Sequence, residues 1–164
     1  MNKKRQLAIK EDQLLLLRQQ LDSMSQMEEL LKWSLARCQA VTVEKGNTPE
    51  LEDLDKFEAL TARFVRFNDF LLLKIFRLVD VIDLEDEGSN RDRINRAEKK
   101  GLIDSASEFI EIRELRNSIG DEYQTVALDL IFSRVLEFAP VLLGVADKVR
   151  WYCSQYSGEL HIGL

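Results

Sequence analysis

Apolar residues recur along this chain in steps of three and four over most of its length, the spacing that lines one face of an α-helix. Between about Lys4 and Glu44, the positions Leu14, Leu17, Leu21, Met24, Leu31, Leu35 and Cys38 form one such stripe. It predicts one long helix, or two joined near Ser23-Met24-Ser25. Met24, Met27 and Cys38 read as core filler. Trp33 lies one step off the stripe centre, where either edge packing or a subunit contact accounts for it.

Lys45-Gly46-Asn47-Thr48-Pro49 breaks the pattern. Glycine ends the first helix, Thr48 suits an N-cap and Pro49 the first helical position. A second long helix is predicted from Pro49 to Ile82, with Phe57, Leu60, Phe64, Leu71, Ile75, Leu78 and Ile82 facing inward. Asn68 is a polar residue on that face. The other arc carries Lys56, Arg63, Arg66, Lys74 and Arg77 together with Phe67 and Phe70. That mixture is either a solvated face with rim aromatics or a surface for a phosphate backbone or an acidic partner.

An acidic loop, Asp83-Leu84-Glu85-Asp86-Glu87-Gly88, follows. Carboxylates are unfavourable at a helix C-terminus, so the helix ends near the start of this loop. Its spacing is not that of a calcium loop. Asn90 to Lys100 predicts a short polar helix stopped by Gly101, and Asp104 suits the N-cap of the next helix. Gly120 ends or bends that helix, and the last one starts near Gln124 or Thr125. Its stripe is Leu128, Ile131, Val135, Phe138, Leu142, Val145, Val149, Tyr152 and Tyr156, with Pro140 and Gly144 predicting a kink. The expected fold is all-α, an up-and-down antiparallel bundle of four to five helices. Residues 1–156 form one domain and 157–164 a flexible tail.

Composition narrows the function. The 164 residues are 45% hydrophobic, enough for one real core, and only two prolines and seven glycines interrupt them. A net charge of −6 argues against a nucleic-acid binder that works by overall positive charge, though not against a local basic patch. Cys38 and Cys153 are isolated and His161 is the single histidine, which argues against zinc sites and histidine triads, and no metal or cofactor is expected. The apolar run Leu14 to Leu17 is too short and too distal for a secretory signal. No stretch reaches the apolar length of a membrane span, so the expected setting is cytoplasmic.

One position stands out chemically. Steps of three and four from Leu102, Phe109 and Ile112 place Arg116, Ile119 and Tyr123 on an apolar face. Burying an unpaired charge costs several kcal/mol, so Arg116 needs a carboxylate from its own chain or a dimer partner, an opening to solvent, or an anionic ligand.

The surrounding Arg113-Glu114-Leu115-Arg116-Asn117-Ser118-Ile119-Gly120-Asp121-Glu122-Tyr123 resembles the signature of the HEPN family, in which Arg-Asn is followed by three residues, a histidine, any residue and a tyrosine. It matches at Arg116, Asn117 and Tyr123 and departs at Asp121, where the family has histidine. Leu102-Ile103-Asp104 and the succession of helices are similar too, over roughly Leu14 to Tyr156. The resemblance implies a helical bundle that forms a homodimer with both signatures in a shared cleft. It further implies a minimal nucleotidyltransferase as partner. In toxin–antitoxin versions the HEPN chain is a metal-independent ribonuclease, silenced by adenylylation of the signature tyrosine; other members are substrate-binding partners of the transferase. Carried over by residue, Arg116 contacts the phosphate of a nucleotide or RNA, Asn117 orients the site and Tyr123 accepts the modification.

Metal-independent RNA cleavage needs a base, an acid and a cation for the charged transition state. Histidine titrates near neutrality and serves either proton-transfer role. An aspartate with an ordinary pKa of about 4 is ionised, a weak base, and repels phosphate. The expectation is therefore a nucleotide- or RNA-binding, HEPN-like partner of a nucleotidyltransferase with impaired nuclease activity. The alternative is an active ribonuclease toxin that uses Arg116 with Asp121 as an unusual base and is neutralised at Tyr123.

Overall fold

The computed structural model describes residues 3–41, 50–119 and 125–156, with side chains from residue 10 and, in the last segment, from residue 128. Its elements are α1 (Lys3–Gln39), α2 (Leu51–Phe70), a π-helical segment (Leu71–Phe76), α3 (Arg77–Ile82), α4 (Asn90–Lys100), α5 (Ala106–Ile119), α6 (Thr125–Cys153) and a 3₁₀ turn (Ser154–Tyr156). The fold is all-α, with no strand among the described residues. α1 runs unbroken through Met24, because the stripe continues across Ser23 and Ser25. The predicted cap residues Thr48 and Pro49, the break at Gly46 and the tail 157–164 lie outside the described residues.

α2, the π segment and α3 follow without interruption as one rod. Side-chain contacts give the directions of its neighbours. Arg63 meets Ser34 while Lys56 lies near Cys38, so α1 is antiparallel to α2. Phe109 packs on Phe76, with ring centroids 5.5 Å apart, while Arg116 reaches back to Asp69, so α5 is antiparallel to the rod. Phe132 stacks on Phe57 at 5.1 Å and Tyr156 reaches Asp83, so α6 runs with the rod and against α1. α1, the rod, α5 and α6 thus alternate up and down, with α4 laid along the rod and α5.

The inward stripes of α1 and α6 are those expected, with Leu21, Leu128 and Tyr152 only half-buried. Glu28 occupies the gap in the α1 stripe between Met24 and Leu31. It is 4% exposed and held by Arg150 and Lys32. Pro140 lies on the exposed side of α6, and the chain stays helical through it.

The rod departs from its predicted pattern in two ways. Phe67, expected on the rim, is fully buried, as are Leu72 and Phe76, because α4 and α5 cover a second side of the rod. Val79 takes the core position where counting from Ile75 expects Leu78, which is half-buried. A π turn holds more residues than an α turn, so the stripe is delayed by one.

Both ends of α4 are closed by its own sequence. Ser89 and Asp92 form a reciprocal capping box, and Gly101 at φ 77° takes the left-handed position at the C-terminus. The cap of α5 is Ser105 rather than the expected Asp104. Ser105 Oγ accepts the Glu108 N–H at 3.1 Å, while Asp104 turns away to pair with Lys148. Among the described residues, no helix is long and apolar enough to cross a membrane.

Candidate functional site: a shared carboxylate on the α2–α5 rim

Phe109 and Ile112 anchor α5 in the core, and the next step along the same stripe is Arg116. At that level Leu115 and Ile119 still pack against the core, while Arg116 reaches the edge of α2, where Asp69 projects. Arg116 binds it in a fork: Nε donates to Oδ1 at 3.0 Å and Nη2 to Oδ2 at 2.9 Å. Arg113, one turn earlier, donates from Nη1 to Oδ1 at 2.7 Å. Of the three ways to accommodate Arg116, the fold supplies two, an intrachain carboxylate and partial opening to solvent, the side chain being 34% exposed.

The balance of charge is the informative part. Two guanidinium groups share one carboxylate, so the cluster carries a net positive charge, and Nη1 of Arg116 is not used by Asp69. Burial by itself raises the pKa of Asp69, but hydrogen bonds and charge from Arg116 and Arg113 outweigh it and hold the carboxyl below its usual range. Asp69 is therefore ionised at neutral pH and acts as a fixed strut for both arginines.

Other expected site residues fall differently. Asn117 is exposed beside Arg116. Asp121 and Tyr123 lie outside the described residues. No group of three or more His, Cys, Asp or Glu side chains that could hold a metal occurs among the described residues. A cavity of about 230 Å³ adjoins the end of α5, between Ile119, Thr61 and Phe132, and the buried Thr61 hydroxyl has no hydrogen-bond partner among the described residues.

The basic arc of α2 is partly neutralised and partly open. Lys56 pairs with Asp53 at 3.4 Å, and Arg63 donates to Ser34 Oγ while its guanidinium lies 5.4 Å from the Trp33 ring. Arg66, Lys74 and Arg77 are exposed without a carboxylate partner among the described residues.

A second polar cluster lies at the far end of the rod. Asp80 Oδ2 accepts from both Nε and Nη2 of Arg96, at 3.0 and 2.9 Å, and its Oδ1 accepts from the Lys100 ammonium at 2.9 Å. Asp83 accepts the hydroxyls of Tyr152 and Tyr156, each at 2.5 Å, and pairs with Lys100 at 3.0 Å. These partners offset the penalty of carboxylates at a helix C-terminus. They also outweigh burial and hold the Asp83 carboxyl below its usual range. Burial and Asp83 together push the Tyr156 hydroxyl up, and burial chiefly raises the Cys153 thiol to about 12.

No local sequence signal marks Asp69. It sits among the cations of the α2 arc, and only the docking of α5, more than forty residues later in the chain, gives it a role. No protein-family model, curated protein or solved structure matches the chain.

Proposed function

We propose that this protein is a HEPN-like subunit that binds the phosphate groups of a nucleotide or RNA at the Arg113–Arg116 rim, and that it works as a homodimer with a minimal nucleotidyltransferase as partner. The observation that carries the reading is the excess cation: one carboxylate orients two arginines at an accessible edge and leaves a positive remainder for an anion. The signature residues support it further. Arg116 and Asn117 stand together at the exposed end of α5, where two copies of the chain can present them to one cleft.

Nuclease activity is impaired in this reading. A rim arginine supplies charge stabilisation, but proton transfer needs a group that titrates near neutrality, and the signature has aspartate at position 121. Tyr123 is the proposed acceptor of an adenylyl group.

Two measurements test the proposal. The protein should run in solution at twice its 19.0 kDa chain mass. Co-expression with a minimal nucleotidyltransferase should give an AMP adduct that maps to Tyr123 by mass spectrometry and is lost in Tyr123→Phe. A monomer that copurifies with no transferase and carries no adduct would overturn it. RNA cleavage in EDTA that disappears in Arg116→Ala would instead establish the active ribonuclease.

A further inference from the structure

The open side of α2 is wider than the signature. Arg63 marks its border with α1, through Ser34 and Trp33, and Asp69 marks its border with α5, through Arg113 and Arg116. Arg66 lies between them, three residues from each, and is exposed. Beyond Asp69 the same rod carries Lys74 and Arg77, both exposed, so cations recur from Arg63 to Arg77 over a rise of about 20 Å.

One aromatic residue belongs to this strip. Trp33 is 53% exposed, with the guanidiniums of Arg37 and Arg63 at 4.4 and 5.4 Å from its ring. Arginines on two helices lie against the indole, and about half of its surface stays open to solvent. Cations that track a backbone, interrupted by a fixed aromatic ring, are the elements of a single-strand binding surface, where bases stack and phosphates meet arginine. A duplex offers no unstacked base to Trp33.

We infer that the α1–α2 strip is a track for single-stranded RNA: Trp33 stacks a base, Arg37, Arg63 and Arg66 hold the adjoining phosphates, and the strand continues toward Arg116. The inference rests on the proposed anion site at Arg116 and extends it to a substrate class.

The test is fluorescence anisotropy with a labelled oligouridine of about twelve nucleotides, a length matched to such single-strand sites. The expected result is binding that weakens about tenfold in Trp33→Ala and in Arg66→Glu, with little binding of a duplex of equal length. In a Trp151→Phe background, where Trp33 is the remaining tryptophan, its emission should be quenched by the RNA. The Arg63→Ala/Arg66→Ala pair should reduce the salt slope by about 0.7 for each phosphate that is no longer neutralised. Arg66 is exposed and outside the core, so Arg66→Glu keeps the test valid if Trp33→Ala lowers stability.

Binding unaffected by either single variant, or an acidic polypeptide that binds as tightly and with the same dependence on Trp33, overturns the track. The two proposals fail separately. Binding lost in Arg116→Ala but unchanged in Trp33→Ala and Arg66→Glu removes the track and leaves the rim site. Binding that depends on Trp33 without any adduct or transferase association leaves the track and removes the transferase partnership.

Discussion

Asp69 decides how Arg116 behaves. Asp69→Asn removes the ionised acceptor from two arginines and should lower stability by about 1–2 kcal/mol in a thermal or urea melt. The same change raises the local positive charge, so single-stranded RNA should bind several-fold more tightly, as read by anisotropy; a purely structural ion pair would give the stability loss alone. Acid sensitivity follows from the same residue. A carboxyl whose folded pKa is depressed stabilises the protein above its unfolded value of about 3.9, and that contribution is lost as pH falls through the lower folded value. Asp83 behaves alike, so Asp69→Asn and Asp83→Asn should each flatten the acid side of a stability profile below about pH 4. Cys38 and Cys153 are buried and their thiols are raised by that burial, so neither should react with an alkylating reagent at pH 8 until denaturant opens the fold. Of these residues, Cys38 was legible as a core position from helical spacing alone. Asp69 was not, since a carboxylate among surface cations shows no sign of its partner until α5 is docked.

Helix ends provide the contrast at the scale of elements. α3 and α4 finish with the same two backbone hydrogen bonds, Glu85 to Asp80 and Leu84 to Val81 in one, Leu102 to Ala97 and Gly101 to Glu98 in the other. Both place a residue at positive φ, but α4 uses glycine at 77° and α3 uses leucine at 60°. A side chain in that region costs about 1 kcal/mol. Gly101→Ala should therefore destabilise by about that amount. Leu84→Gly, at a position 90% exposed, should stabilise by a comparable or smaller one, both read from melting midpoints. Gly101 was legible as a helix stop because glycine advertises the conformation; Leu84 was not, because tertiary contacts of Asp80 and Asp83 impose it. The π segment is a similar case. Its residues, Leu71 to Phe76, read as ordinary α-helix in sequence. Packing on more than one side buries Leu71, Leu72, Ile75 and Phe76 together. Asn68, beside that segment, is fully buried with no hydrogen-bond partner for its amide among the described residues. Asn68→Leu should therefore raise the melting temperature, and a drop would show that the amide is satisfied.

The molecule as a whole rests on one apolar cluster to which every helix contributes, so heating should give one cooperative transition followed identically by far-UV circular dichroism and by tryptophan fluorescence. Two separated transitions would mean that α4 and α5 are not coupled to the α1–α2–α6 core. The bundle, its helix order and most inward positions could be read from the chain by itself, since helical periodicity and stop signals act over a few residues and survive in any tertiary arrangement. So could the demand that Arg116 be neutralised, which is a matter of solvation energy. Which carboxylate answers that demand, which side of α2 stays open between α1 and α5, and which rim cations find no carboxylate among the described residues were settled only in three dimensions. Those outcomes depend on how helices tens of residues apart dock and in what register, and a local pattern does not encode that choice.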